Sequence, residues 1–422
     1  MRPRGSPRPD LEFEVCGAHR TGMGAPEPAF RHDLQIQPSS GPEATMGISA
    51  EVRDELRAVL RSYDLGELAD SAADERGTVN TSFFIDLQKD AASRRYFLRR
   101  YKPGIRPEEI VFEHALIDHL TARGSCPVAR VHRTRSGATY LRLGSPAGEA
   151  EFYAVFDYLP GEDRYTWVNP RCTVRELRGA GRLLAQFHSD AASLQAPGRR
   201  AEPKITELLP VIEGVWAECL ARSSGTAFDR FAAAHDRTVR DSLAEEARVL
   251  GRAAGRVPEV IVHSDYHPGN LRFMGNEISG LVDFDWAKVD LRAFDVGLAV
   301  WYFCVSWQGG ADGRVRLGAA RALLEGYQRR LIEGADIAPL SATELAILPH
   351  LISAGNLYVL YWGLRDYLSK SVDSQEYLMY LRHSIAFARW FEDPAHRASL
   401  TSMLDGLPRS AVRSRRADRQ MS

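Results

Sequence analysis

The chain has 422 residues, of which 44% are hydrophobic and 26% are charged, a composition typical of globular proteins and long enough for two packed lobes. Its 54 basic and 55 acidic side chains give a net charge of −1, which argues against nucleic acid or an anionic membrane as a partner. The five cysteines include no C-x-x-C pair, so they indicate neither a disulfide framework nor a zinc site.

The two ends of the chain lack the periodicity of helices and strands. Residues 1–45 are rich in Pro, Arg and Gly and contain no apolar signal segment, so we expect a disordered extension. The first helical pattern, Glu51–Tyr63, follows Met46, which we therefore expect to be the true start. Residues 406–422 are predicted to form a solvated basic tail. No apolar run reaches the eighteen or so residues of a membrane span, which predicts a soluble, cytoplasmic protein.

Residues 46–158 are predicted to form a small lobe rich in strands, with one main helix. Phe83–Leu87 and Arg95–Tyr101 are β-prone runs separated by a polar turn, which predicts a hairpin. A helix is predicted over Pro107–Ala122, because proline and acidic residues open it and a glycine follows its last turn. Phe152–Tyr158 predicts a further strand.

Residues 159–405 are predicted to form a larger, mostly helical lobe. Thr173 and Glu176 make a capping-box pattern before an amphipathic helix, and helical patterns resume over residues 314–390. A β-rich lobe followed by a helical lobe predicts an α+β fold with a cleft between its two parts.

One segment of the second lobe carries most of the chemistry. Leu271–Phe273 and Ile278–Val282 are short apolar strands around a turn, and folding this hairpin brings Asn270 opposite Asp283. An amide oxygen and a carboxylate are ligands that suit Mg²⁺. Asp265 lies on the loop before them, where a carboxylate can accept the proton of an attacking hydroxyl.

These residues also have an architectural interpretation, because Asp and Asn suit the dihedrals of turns. The whole set, in its order and spacing, favours a phosphoryl-transfer site instead. His263 is expected to hold the loop by hydrogen bonding rather than to act on substrate. The set comprises His263, Asp265, Asn270, Asp283 and Asp285.

The sequence HSDYHPGN at 263–270, followed by LVDFDWA at 281–287, resembles the catalytic and metal loops of the aminoglycoside-phosphotransferase-like kinases. These kinases share the protein-kinase fold, with a small β-rich N-terminal lobe and a larger helical C-terminal lobe. The stretches YDLGEL, GTVNTSFFI, DLRAFDVGLAVWYFC and LLEGYQRR are most similar to the type II homoserine kinase branch. The resemblance covers roughly residues 50–400.

By position, the resemblance implies a role for each residue of the two loops. Asp265 corresponds to the catalytic base, and Asn270 and Asp283 correspond to ligands of Mg²⁺. Asp285 either assists the metal or orients the loop.

The resemblance also implies that ATP binds to the N-terminal lobe, although the sequence has neither a P-loop motif nor the G-x-G-x-x-G of protein kinases. The segment GTVNTS at 77–82 can turn tightly and offer donors to phosphate, or it is an ordinary turn. The strand ending near residue 159 would be the hinge that offers backbone groups to adenine, although core packing would explain the same strand. The candidate nucleotide-binding residues here are Gly77, Asn80, Thr81, Ser82, Phe156, Tyr158 and Leu159.

Glu113 lies in an apolar stripe of the Pro107–Ala122 helix and is expected to be paired, because an unpaired buried charge is costly. Kinases of this fold supply a strand lysine as the partner, but the matching position here is Arg99. Arginine can hold phosphate and pair with a carboxylate, yet it does not replace lysine freely. Either Arg99 clamps ATP, or catalysis is impaired.

Together these features favour an ATP-dependent kinase that moves the γ-phosphate to a hydroxyl of a small molecule. Residues 301–400 carry ten acidic and ten basic side chains. A polycationic aminoglycoside would favour an acidic pocket, so this balance tilts slightly towards a zwitterionic or neutral alcohol. Among such alcohols, the resemblance to the homoserine kinase branch favours a homoserine-like amino alcohol. An antibiotic O-phosphotransferase and a non-catalytic nucleotide-binding regulator remain as alternatives.

Overall fold

The computed structural model describes residues 48–74, 79–144, 150–222, 225–369 and 374–409. The expected N-terminal extension, the proposed start at Met46, the candidate Gly77 and most of the basic tail lie outside these ranges.

The first lobe is built on a five-stranded antiparallel sheet with the strand order β1-β2-β3-β5-β4. The predicted hairpin is confirmed as β2 and β3, and the predicted later strand is confirmed as β5. The two edge strands, β1 and β4, were not predicted, because most of their residues are exposed or half-buried. The strands are β1 (Glu67–Asp74), β2 (Thr81–Lys89), β3 (Ala92–Arg100), β4 (Leu141–Gly144) and β5 (Ala150–Asp157).

Helices cover both faces of this sheet. On the outer face, α1 (Ala50–Leu60) buries Leu56 and Val59 against the apolar side chains of β2 and β3. On the cleft side lies α2 (Pro107–Arg123), which confirms the predicted main helix. Its C-cap, Gly124, has φ 69°, a left-handed conformation that glycine adopts without strain.

The second lobe is mainly helical, as predicted. Its first helix begins with the predicted capping box, in which Thr173 and Glu176 bond each other's backbone. This helix packs closely on α8, since a Cβ added at Gly181 would lie 1.9 Å from the Leu323 carbonyl oxygen. The helices are α3 (Val174–Ala191), α4 (Ile205–Ala221), α5 (Ala227–Ala234), α6 (Asp236–Ala253), α7 (Arg292–Cys304), α8 (Leu317–Gly334), α9 (Ala342–Ser369), α10 (Ser374–Glu392) and α11 (Pro394–Asp405).

Four short strands of the second lobe hold the segment that carries the candidate site residues. β6 (Glu259–Val262) pairs with β9 (Lys288–Leu291), and β7 (Leu271–Met274) pairs with β8 (Glu277–Leu281). The second pair is the predicted hairpin. All the candidate chemistry of the second lobe therefore lies on the connection from β6 to β7 and on the connection from β8 to β9.

In the part of the chain that the structure describes, α9 alone is long and apolar enough to span a membrane by length and composition. Of the apolar stretch of α9 that meets this criterion, 72% is buried inside the protein. The helix packs against α7 and α10, so its apolar composition is explained by its place in the core.

Candidate active site

The loop that carries Asp265 is fixed by a buried aspartate on α7. The Asp295 carboxylate accepts hydrogen bonds from the backbone N–H groups of His263 and Ser264, both at 2.9 Å. It also lies 3.0 Å from Nε2 of the buried His188. Ser264 itself has φ 61°, a conformation that costs free energy for a residue with a side chain. Asp295 therefore holds the loop in a shape that it would not adopt alone.

Both oxygens of the Asp265 carboxylate are oriented by neighbours. Oδ1 accepts a hydrogen bond from the Tyr302 hydroxyl at 3.0 Å, and Oδ2 accepts one from the Asn270 amide at 3.1 Å. Nε2 of His267 lies 3.4 Å from Oδ2. Burial alone would raise the pKa of Asp265, but His267, His263 and Tyr302 together hold it below its usual value. The carboxylate is thus ionised and oriented, and its side chain remains 20% exposed.

Tyr302→Phe is expected to lower kcat about tenfold and to raise the pH of the acidic limb of the kcat/KM profile. The lost hydrogen bond favours the ionised form of Asp265, so its removal raises the pKa of that carboxyl group. Measuring kcat/KM from pH 4 to pH 8 tests this.

Tyr153→Phe is the matched control, because the buried Tyr153 hydroxyl also donates to carboxylates, those of Glu55 and Glu151, but inside the first lobe. Its pH profile should match the wild type. An unshifted acidic limb in Tyr302→Phe would contradict the role assigned to the Tyr302 hydroxyl.

The hairpin brings Asn270 and Asp283 together, as its sequence predicted. Leu271 is paired with Leu281, and the backbone N–H of Val282 donates to the Asn270 carbonyl oxygen at 3.1 Å. Asn270 uses its amide nitrogen to hold Asp265, which leaves its amide oxygen for another partner. The two candidate ligands therefore lie at the same end of one hairpin, beside the Asp265 carboxylate.

Asp283 lies at the cleft in a strained backbone conformation, and one of its carboxylate oxygens has no partner among the described residues. Its φ is 65°, and among the described residues its buried Oδ1 has no hydrogen-bond partner; Nη2 of Arg99 lies 3.9 Å from it. Burial and the charge of Asp285 raise the pKa of Asp283 to about 6. The Asp283 side chain as a whole is 40% exposed. A carboxylate oxygen and an amide oxygen at an open cleft fit a divalent metal that also binds phosphate and water.

Arg99 joins the two lobes across the cleft. Its Nη1 lies 2.9 Å from Glu113 of α2, which is the predicted pair, and 2.6 Å from Oδ1 of Asp285 in the metal loop. Arg99 is 10% exposed and Glu113 is 1% exposed. Burial and the charge of Asp285 raise the pKa of Glu113 to about 7, although Arg99 acts in the opposite direction. Asp285, bound in this way, connects the 283–285 segment to the first lobe.

The candidate phosphate-binding segment, residues 77–82, contacts Asp285 through Asn80. The Asn80 amide nitrogen donates to Oδ2 of Asp285, and its amide oxygen accepts from the backbone N–H of Lys102. Ser82 is buried and lies opposite Arg99 in the sheet register. Thr81 lies opposite Arg100, on the other face, so its hydroxyl points away from the cleft and leaves only its backbone for phosphate.

The hinge candidates differ in their surroundings. Phe156 is buried, and its ring packs against those of Phe97 and His114, as the core-packing interpretation expected. Tyr158 and Leu159 line a cavity of about 350 Å³ at the end of β5. Of the hinge candidates, these two residues line the cavity, whereas Phe156 does not.

A model of the phosphotransferase enzyme family, APH, matches residues 72–332, which is more than half of the chain and includes both loops of the site. The chain is 29% identical over 350 residues to a homoserine kinase of Rhizobium johnstonii, covering 81% of this chain and 95% of that protein. It is 31% identical over 361 residues to a homoserine kinase of Parvibaculum lavamentivorans, covering 83% and 98% respectively.

Among solved structures, the microcompartment-associated aminopropanol kinase matches with a TM-score of 0.61 and 19% identity. The match covers 80% of this chain and 97% of that one. At this identity the likeness concerns the fold, and it confirms the bilobal, protein-kinase-like architecture predicted from the sequence.

Proposed function

We propose that this chain, which belongs to the APH phosphotransferase enzyme family and is an ATP-dependent kinase of a small-molecule alcohol, acts on an amino alcohol of the homoserine type. The supporting observation is that homoserine kinases match it over 95% and 98% of their own length. We place this activity in the cytoplasm. Kinases of this kind work with a divalent metal, and we propose Mg²⁺.

The catalytic step follows from the geometry around Asp265. The acceptor hydroxyl donates to the ionised carboxylate, whose oxygens are oriented by Tyr302 and Asn270. As the hydroxyl oxygen attacks the γ-phosphorus, its proton passes to Asp265 and ADP leaves. Because this carboxylate is positioned before substrate binds, little reorganisation is needed in the transition state.

Other residues of the chain hold the nucleotide end of the reaction. Asn270 and Asp283 would bind Mg²⁺, which when bound neutralises charge that develops on the transferred phosphoryl group. Arg99 would hold ATP phosphates in the place of the usual lysine, with Glu113 keeping its guanidinium in position. Tyr158 and Leu159 would offer backbone groups to adenine from the hinge cavity.

The test is Mg²⁺-dependent release of ADP by purified protein against a panel of acceptors. The panel contains L-homoserine, 3-aminopropan-1-ol, choline, methylthioribose and several aminoglycosides. Release stimulated by L-homoserine, with a product phosphorylated on its hydroxyl, supports the proposal. Release stimulated only by an aminoglycoside would contradict it and favour an antibiotic-modifying enzyme.

A further inference from the structure

The connection between α3 and α4 runs from the first lobe to residues 283–287, the segment that carries both aspartates of the candidate metal site. Gly198 of this connection packs on the start of α2. Its φ is 77°, and a Cβ added to it would lie 2.2 Å from the Glu108 carbonyl oxygen. Glycine allows this close approach in that conformation. Arg200, two residues further on, is therefore held at the junction of the two lobes.

The Arg200 guanidinium is buried and contacts both lobes. Nη2 donates to the Phe284 carbonyl oxygen at 3.2 Å, and Nη1 lies 3.8 Å from Oε1 of Glu109 on α2. The Arg200 side chain is 5% exposed. Among the described residues, its buried Nε has no hydrogen-bond partner. Burial of this charge with an unpartnered nitrogen costs free energy, so stability alone does not explain the residue.

The carbonyl group that Arg200 bonds lies between the two aspartates of the candidate metal site. Phe284 follows Asp283 and precedes Asp285, and its side chain is buried. Its carbonyl oxygen accepts the backbone N–H of Ala287 at 3.0 Å as well as the hydrogen bond from Arg200. These two donors fix the peptide unit that joins Phe284 to Asp285.

Other contacts of the 283–287 segment with the first lobe are made by side chains. Arg99 and Asn80 bond the Asp285 carboxylate. Nζ of Lys102 lies 5.0 Å from the ring centroid of Trp286. None of these three contacts bonds a backbone group of the segment, so none of them fixes its dihedral angles directly.

Asp283 needs such support from the backbone. Its φ of 65° costs free energy for a residue with a side chain. If the peptide unit after Phe284 rotates, Asp283 can relax from this conformation and turn its carboxylate away from Asn270. Mg²⁺ demands a nearly ideal arrangement of its ligands, so such a rotation weakens the metal site.

We propose that Arg200 is a positioning residue, which holds Asp283 in its metal-binding conformation by bonding the Phe284 carbonyl oxygen and pairing with Glu109. This inference rests on the proposed function, in which Asp283 binds the divalent metal. Arg200 acts through the backbone of that ligand rather than on the reacting atoms. It also ties the ligand to α2, the helix that carries Glu113.

The test is the binding of Mn²⁺, a probe of the Mg²⁺ site, to the complex of the protein with AMP-PNP, measured by electron paramagnetic resonance. In Arg200→Gln, the Kd for Mn²⁺ should rise about 10–100-fold, the effect of losing a contact that orients a metal ligand. The Mg²⁺ concentration that gives half-maximal ADP release should rise as well. Excess Mg²⁺ should restore most of kcat, which it would not do for a packing defect.

Arg316→Gln is the matched control, because Arg316 also donates to backbone carbonyl groups, those of Pro170 and Phe303, but inside the helical lobe. It should leave the Kd for Mn²⁺ unchanged. The inference is overturned by a wild-type Kd in Arg200→Gln, by an equal rise in Arg316→Gln, or by a loss of kcat that excess Mg²⁺ does not restore.

Arg200→Lys keeps the charge but lacks the fork that reaches Phe284 and Glu109 together, so its Kd for Mn²⁺ should lie between those of the wild type and Arg200→Gln. If circular dichroism shows that Arg200→Gln does not fold, a wild-type Kd in Arg200→Lys would overturn the inference. Failure of the wild-type complex to bind Mn²⁺ would instead contradict the proposed metal site, so the two failures are distinguishable.

Discussion

Asp265→Asn is expected to lower kcat by about 10²–10⁴-fold, the range over which a positioned general base contributes. The amide has nearly the same shape as the carboxylate, so it can still accept the Tyr302 hydrogen bond at Oδ1. It cannot, however, take the proton of the attacking hydroxyl. The KM for ATP and the melting temperature should stay close to wild type. The measurement is steady-state release of ADP in the presence of saturating acceptor.

Asp295→Asn is the informative comparison, because it changes a buried aspartate that does not face the cleft. Asp295 accepts the backbone N–H groups of His263 and Ser264 and contacts His188. Its charge is offset by these donors, so the substitution should lower the free energy of unfolding by about 2 kcal/mol. A variant of Asp265 that loses stability rather than turnover would contradict the catalytic role. So would retention of full activity.

The parts of the fold that the sequence predicted are those with local causes. Pro107 and Gly124 delimit α2 through their own backbone preferences, and the short apolar strands of the β7–β8 hairpin fix the register that joins Asn270 to Asp283. The edge strand β1 was not predicted, since an edge strand with few buried residues lacks the alternation that identifies a strand.

The contacts that the sequence did not predict join distant segments. Tyr302 follows Asp265 by 37 positions on a helix whose residues are all buried, so nothing in its own sequence distinguishes it from a core tyrosine. Asp285 and Arg99 are separated by 186 positions and lie in different lobes. The pairing of Arg99 with Glu113 was predictable, because a carboxylate in an apolar stripe needs a cation. The contact of Arg99 with Asp285 was not, because it depends on how the two lobes close on each other.

Arg99→Ala is expected to raise the KM for ATP about 10–100-fold and to lower the free energy of unfolding by about 3–5 kcal/mol. Arg99 is paired with two carboxylates, and removing one partner of a buried ion pair leaves the others uncompensated. The guanidinium is also the phosphate-binding group of the proposed mechanism, so affinity for ATP falls as well. Steady-state kinetics and chemical denaturation measure the two effects separately.

Arg100→Ala is the matched control, because Arg100 is the next residue of β3 and lies on the opposite face of the sheet. It is 30% exposed and lies 3.2 Å from Glu55, which is 26% exposed, so both ATP affinity and stability should change little. An unchanged KM for ATP in Arg99→Ala would show that Arg99 does not hold the nucleotide. Arg99→Lys should recover part of the lost affinity, since an ammonium can still pair with Glu113 or bind phosphate.

The pH dependence of Arg99→Ala distinguishes the loss of ion pairing from a packing defect. Burial and Asp285 already raise the pKa of Glu113 to about 7, and removal of Arg99, which lowers it, raises it further. A carboxyl group whose pKa is raised by folding binds more protons in the folded state, so its contribution to stability declines as the pH rises through that pKa. The stability deficit of Arg99→Ala should therefore be smaller at pH 6 than at pH 8. A deficit that does not vary with pH would indicate that the loss comes from packing around the aliphatic part of the side chain.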